Sequence, residues 1–135
     1  MMFVRKSESY PIQSENDIVL IRHGVRKWAV ECRFGLVDQT KFVTAASELA
    51  RNTLTYGRGG IAKFEALEDG TRRGIRLSFE DHGPGIPDLK LALTDGYTTG
   101  GGLGLGLSGA KRLVNEFEIV SEVDKGTTVR ITRWS

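Results

Sequence analysis

The chain has 135 residues, 39% of them hydrophobic and 27% charged, and a net charge of +2. That is the size and balance of one globular domain, residues 1–135, with a core of its own, and basic residues that are few in excess and scattered rather than striped exclude a nucleic-acid binder. The lone Cys32 excludes a disulfide framework or a cysteine metal centre, and with no signal-peptide core and no run approaching a membrane span the expected setting is cytoplasmic.

Residues 3–12 read as a weak strand that Pro11 confines to an edge or a strand end. Ser14 offers an N-cap, acidic Glu15 and Asp17 suit the first turn, and Ile18, Ile21, Val25, Trp28 and Cys32 recur at spacings of three and four. This is one stripe of an amphipathic helix, which Gly35 is expected to close. Trp28 and Cys32 belong to that stripe and read as core. Asp38 is expected to cap a second helix, with Phe42, Ala46, Leu49, Thr53 and Tyr56 on its buried stripe. Off the stripe, Glu48 and Asn52 stand four apart and share a face, about 5–6 Å between Cβ atoms, with Arg51 beside them. Taken alone, a carboxylate beside an amide is a solvated surface.

Tyr56 to Gly60 is a turn cluster. Alternation over 61–67 predicts a half-buried strand, 68–71 a hairpin turn, and 74–80 a second strand with Ile75, Leu77 and Phe79 inward, the two pairing antiparallel. That strand ends on Asp81, and His82-Gly83-Pro84-Gly85-Ile86 follows at once. A carboxylate there, with Gly83 and Gly85 after it, lets a flat ligand lie against the backbone while the acid accepts a hydrogen bond. The plain alternative is a turn built from Asp, Gly and Pro.

A short helical piece over 88–93 leads to T-T-G-G-G-L-G-L-G-L-S-G-A, residues 98–110. Glycine loses more conformational entropy on folding than any other residue, so this cluster is costly unless the backbone has an unusual task. One such task is to bring bare N–H groups to a ligand's phosphates where a helix begins. Residues 100–106 read as that cradle, with Leu103 and Leu105 as apolar anchors, and Ser108 as the opening of a helix striped by Leu107, Ala110, Leu113, Val114 and Phe117. A flexible linker is the alternative, but linkers are polar and Ser-rich. Strands over 119–123 and 128–133, joined by a turn at 124–127, close the chain as a hairpin.

Four pieces thus occur in fixed order: E-L-A-R-N on a helix, D-x-G-x-G-I after a strand, the glycine loop into a helix, and Gly126-Thr127 in the last hairpin. Together they resemble the Bergerat-fold (GHKL) ATP-binding family of gyrase, Hsp90, sensor histidine kinases, MutL and the anti-sigma serine kinases. The phrases S-E-L-A-R-N, E-D-H-G-P-G-I-P-D, G-G-L-G-L-G-L-S-G-A-K-R-L and G-T-T-V-R-I-T-R-W are similar to those of the small RsbT-type serine/threonine switch kinases, relatives of the anti-sigma factors RsbW and SpoIIAB. The resemblance implies a two-layer α/β (α+β) sandwich, a mixed, mostly antiparallel sheet with helices on one face, and ATP with Mg²⁺ as cofactors. It implies that Glu48 is the general base, that Asn52 ligates Mg²⁺, and that Asp81 accepts from the exocyclic amine of adenine. Gly83, Gly85 and Ile86 would border the base and Thr127 support it through its hydroxyl. Gly100, Gly101, Gly102, Leu103, Gly104, Leu105 and Gly106 would form the phosphate loop, with Gly102, Gly104 and Gly106 donating backbone N–H groups. Arg51 would either reach the γ-phosphate or face the surface or a partner. No Walker-type lysine is present, and the interval from Ile86 to Gly100 is short for a lid, which points to a site completed by a partner.

The function so implied is an ATP-dependent protein serine/threonine kinase that phosphorylates a STAS-domain partner, an anti-sigma antagonist or scaffold protein. It would act by partner switching in bacterial stress or sigma-factor signalling, with a PP2C-type phosphatase or a sigma factor as further partners and neither nucleic acid nor membrane involved. The alternative is a non-catalytic, nucleotide-gated binding module, an anti-sigma factor or phosphatase activator, because both keep the same ATP site.

Overall fold

The computed structural model describes residues 1–93 and 103–135, with the backbone course alone for 103–106. The elements run β1 (Met2–Ile12), α1 (Glu15–Glu31), α2 (Leu36–Thr55), β2 (Gly60–Asp69), β3 (Arg72–Glu80), α3 (Leu89–Ala92), α4 (Leu103–Arg112), β4 (Glu116–Glu122) and β5 (Gly126–Trp134). The strands form one sheet in the order β1-β2-β3-β5-β4. Every described pairing is antiparallel, where the sequence suggests a mixed, mostly antiparallel sheet. The reason lies in the connections. α1 and α2 run out and back between β1 and β2, which returns the chain antiparallel; a parallel pair needs a single crossover. β4 does run in the direction of β3, but β5 is inserted between them. Pro11 sits on the edge strand β1, where a strand tolerates a residue without an N–H.

One face of the sheet presents Ala62, Phe64 and Ala66 from β2, Ile75, Leu77 and Phe79 from β3, and Val129 and Ile131 from β5. The helix stripes of α1 and α2 cover it, with α2 packed between α1 and α4. Trp28 meets Phe64 edge-on at 5.4 Å between ring centroids, and Cys32 is buried, so both are core as their spacing predicts. Each large apolar side chain buried this way stabilises the fold by about 1.5–3 kcal/mol.

Helix ends depart from the sequence reading where tertiary burial decides them. Ser14 caps α1, accepting from the Asp17 N–H at 3.3 Å. At the other end α1 stops at Cys32, and Arg33 rather than Gly35 takes the left-handed conformation, at φ 63°. The Phe34 N–H reaches the Ala29 carbonyl and the Arg33 N–H that of Val30, the Schellman pattern. Burying Phe34 in the core sets this stop. Gly35 then becomes the N-cap of α2. Asp38 is no cap: it lies in the first turn and accepts from Arg133 at 2.6 Å. Phe117, expected on the last helix, belongs to β4 and pairs with Ile131, because Phe117 and Ile119 alternate at period two against β5.

Candidate functional site

The second half of α2, the end of β3 and its following loop, α4 and the start of β5 enclose a cavity of about 150 Å³. At a liquid share of about 30 Å³ per water that is room for roughly five waters. Leu49, Phe79, Leu107 and Val129 make its walls apolar, and Asn52, Asp81 and Thr127 bring polar groups into it. Few polar groups in an apolar cleft is the usual make-up of a small-molecule site.

Asp81 follows directly on β3. Its N–H donates to the Thr127 carbonyl at 2.9 Å, which extends the β3–β5 ladder by one step. Its carboxylate oxygen Oδ1 accepts from the Gly83 N–H at 2.9 Å and the Thr127 N–H at 3.2 Å. Two charge-assisted bonds to backbone amides fix the rotamer, and the second oxygen, Oδ2, is left for a ligand. Around the acid the chain comes too close for side chains. A Cβ on Gly57 would lie 2.5 Å from Oδ2, and one on Gly126, at φ +121°, would collide with the Asp81 carbonyl. Gly85 and Ile86 line the cavity, while Gly83 acts through its amide.

Thr127 lines the cavity from β5, and its Oγ1 lies 2.7 Å from the Oγ of Ser121 on β4. Ser121 also accepts from the Ile86 N–H at 2.8 Å. Sequence reasoning missed Ser121. The available signal is its place third in the inward row Phe117, Ile119, Ser121, a polar residue where the period calls for an apolar one.

On α2, Asn52 reaches the cavity wall, and its Nδ2 is buried without a hydrogen-bond partner among the described residues. Buried side-chain polar atoms are nearly always paired, so an orphan needs an explanation. Glu48 shares the helix face, as the spacing predicts, but it is exposed and is not among the described residues that line the cavity. Arg51 forks onto Glu15 at 2.9 and 3.1 Å, the surface arrangement of the two that the sequence left open, and this carboxylate holds the guanidinium charge more firmly.

Of the glycine stretch, Gly100, Gly101 and Gly102 lie outside the described residues. Leu103, Gly104, Leu105 and Gly106 are the first residues of α4, so the helix opens at Leu103 and not at Ser108, which is buried within it. Glycine weakens a helix by about 1 kcal/mol relative to alanine without forbidding it, and the alternation of Gly and Leu there disguises the helical course. The first-turn amides of a helix lack intrahelical acceptors, which keeps the expected phosphate-binding role open to Gly104 and its neighbours.

Residues 37–134 match the family model described as histidine kinase-, DNA gyrase B-, and HSP90-like ATPase. The chain is 44% identical over 123 residues to the serine/threonine-protein kinase RsbT of Bacillus subtilis (strain 168), covering 91% of this chain and 92% of that one. It is 31% identical over 104 residues to the anti-sigma F factor of Geobacillus stearothermophilus, covering 71% and 69%. Among solved structures, the RsbU and RsbW domains of a Mycobacterium tuberculosis protein share the fold with a TM-score of 0.65 at 22% identity, over 95% of this chain and 32% of that chain. SiaB–SiaC from Pseudomonas aeruginosa matches with a TM-score of 0.56 at 14% identity, over 98% and 91%. The chain belongs to this ATPase family and is an ATP-dependent serine/threonine kinase of the RsbT kind. Among the described residues no helix is long and apolar enough to cross a membrane.

Proposed function

We propose that this member of the histidine kinase-, DNA gyrase B-, and HSP90-like ATPase family transfers the terminal phosphoryl group of Mg-ATP to a serine or threonine hydroxyl of a STAS-domain partner, and so switches partners in cytoplasmic stress or sigma-factor signalling. The observation that carries the reading is the meeting of a pre-fixed carboxylate and the Asn52 amide, whose Nδ2 has no partner among the described residues, on the walls of one apolar cavity. The Asp81 oxygen left by the two backbone amides suits the exocyclic amine of adenine, a donor, and rejects a carbonyl in its place.

Asn52 suits the role of a metal ligand. Its side-chain amide lines the cavity, and the buried atom without a partner among the described residues is Nδ2. An amide oxygen suits a hard cation. Mg²⁺, when bound there, supplies charge neutralisation on phosphate oxygens. The first-turn amides of α4 suit the phosphates themselves. Glu48, one turn before Asn52 and exposed, stands where a hydroxyl arriving from solvent would meet a carboxylate and give up its proton.

The same exposure favours a second output beside transfer, nucleotide-gated binding of the partner, since Glu48 is not built into the cavity. One experiment separates them. Purified STAS-domain partners are incubated with labelled Mg-ATP and either wild type or Glu48→Ala. The kinase reading expects label on the partner with wild type and a loss of about 10²–10⁴-fold in the variant at unchanged ATP affinity. ATP and partner binding without label would establish the module, and no ATP binding would refute both.

A further inference from the structure

We propose that the cleft under the end of α1 is a second ligand site, in which Arg5, Lys6 and Arg73 hold a phosphate ester. It is remote from the nucleotide pocket. Arg73 stands at the start of β3 and Asp81 follows the end of that strand, roughly 26 Å away along the chain.

A bulge builds the cleft. Successive strand residues point to opposite faces, so Arg5 and Lys6 would diverge on a regular strand. The register of β1 on β2 shifts between Val4 and Lys6, an irregularity of the kind that re-aims a side chain. Both residues therefore line one cavity of about 350 Å³, together with Arg73 of β3 and Trp28, Glu31 and Cys32 from the end of α1. Trp28 and Cys32 are buried and close its floor. The Lys6 ammonium stands 4.3 Å from the centre of the Trp28 ring. The convergence shows at the Cys32 thiol: burial pushes it up, Arg5, Arg73 and Lys6 each draw it back down, and Glu31 opposes them.

The charges around the cleft are not satisfied from within. Arg5 meets Glu68 at 3.3 Å and Lys6 meets Glu31 at 3.5 Å, in both cases between side chains open to solvent. Exposed pairs of this kind contribute little and yield to a stronger anion. Arg73 has no ion pair among the described residues, and none of the three side chains donates there to a carbonyl at the end of α1. Three cations against the carboxylate of Glu31 leave the lining two positive charges. That matches a phosphate ester ionised above its second pKa, about 6, whereas a lone carboxylate leaves one charge unmet. Arginine forks fit phosphate oxygens and a lysine adds a point charge. At about 30 Å³ per water the cleft has room for roughly twelve waters, more than a bare phosphate displaces, so the carbon atoms that it esterifies fit as well. A bulge also protects an edge strand from pairing with another chain, but that role calls for no cations gathered on one side.

The test titrates the full chain calorimetrically, at constant ionic strength, with methyl phosphate, a blocked alanine–phosphoserine–alanine peptide and the same peptide unphosphorylated. Wild type is expected to bind both phosphorylated probes saturably and the third not at all. Arg73→Gln and Arg5→Gln are each expected to weaken binding about 10–100-fold, the loss of one hydrogen bond to a charged group. Arg73 is exposed, so its variant keeps the fold. Lys63→Gln, whose lysine lines a separate cavity and pairs with Glu80, is expected to change nothing. A peptide tighter than methyl phosphate assigns the group to a phosphorylated protein segment, and equal or weaker peptide binding assigns it to a small phosphate ester. No saturation below about 10 mM overturns the proposal, as does equal binding of the unphosphorylated peptide. Binding that Arg73→Gln leaves unchanged, or that Lys63→Gln weakens as much, overturns it too, since the anion then sits elsewhere or answers only to net charge.

Discussion

Gly57 lies outside every motif that marks the site, yet its bare Cα decides where the Asp81 carboxylate can stand. A Cβ at position 57 would lie 2.5 Å from Oδ2 and 2.6 Å from the Asp81 Cβ. Ordinary contact begins near 3.4 Å, so Gly57→Ala must push the carboxylate aside by about an ångström, against walls packed to crystal-like density. The bonds from the Gly83 and Thr127 amides, at 2.9 and 3.2 Å, cannot both survive such a shift. Losing one hydrogen bond to a charged group costs about 1.5–3 kcal/mol, and about 1.4 kcal/mol is tenfold in affinity. The expected result is an ATP dissociation constant raised by about 10–100-fold and a lower unfolding free energy. Isothermal titration and denaturant unfolding measure the two. Gly35→Ala is the control, since a Cβ there meets nothing within 4 Å. Wild-type ATP affinity in Gly57→Ala would refute the claim that the placement of Asp81 sets nucleotide binding.

Asn52→Ala is expected to abolish Mg-ATP binding in a chain that melts no earlier than wild type, because it removes a buried amide atom that has no partner. Normal ATP affinity in that variant would sink the metal-ligand role. The Glu65 carboxyl is held below the usual carboxylate range by the hydrogen bond from Arg76 at 2.8 Å. A lowered folded value means that its stabilisation is fully present above the unfolded pKa, about 4.3, and is lost as pH falls through the folded one. Glu65→Gln should therefore cost about 1 kcal/mol at pH 7 and progressively less below pH 4, read by urea unfolding; an equal gap at both pH values contradicts this. On α1, Gly24→Ala would set a Cβ 2.8 Å from the Tyr10 hydroxyl and 3.1 Å from Phe64, destabilising by about 1–3 kcal/mol. Adding Tyr10→Phe should recover part of that loss in melting temperature.

What the sequence discloses is what is local. The stripes of α1 and α2 and the β2–β3 hairpin depend on spacings within one element, and all three stand where the periodicity puts them. The end of α1 was not legible, because Phe34 decides it by entering the core, and Gly35 is the stronger turn signal only when burial is ignored. Phe117 fits a helical stripe and a strand alternation equally well, and its pairing with Ile131 settles the matter. The same division holds at the site. Asp81, Asn52 and Thr127 sit in recognisable phrases and meet at one cavity. Ser121 and Gly57 do not, since their importance comes from partners such as Ile86 and Asp81, brought near by the register of β4 on β5 and by the turn after α2.

The polar residues of α2 near the cavity occupy different environments, and the differences bear on the proposed mechanism. Asn52 is tied to the cavity by burial of its amide, Glu48 stands in solvent, and Arg51 is held by Glu15 of α1. An enzyme that hydrolyses ATP by itself must hold a water against the phosphate and position a base toward it, which calls for a base with its own second partner. Among the described residues no hydrogen bond orients Glu48. An exposed carboxylate, one helical turn from the proposed nucleotide pocket, is poorly placed to activate water and well placed to meet a hydroxyl that another protein brings with it. The surface next to Glu48 then contributes orientation only when occupied, and positioning of that kind supplies much of the rate in phosphoryl transfer. On this argument the transferring half of the proposed site is completed by its substrate, which is the economy expected of a switch that should stay silent until its partner is present.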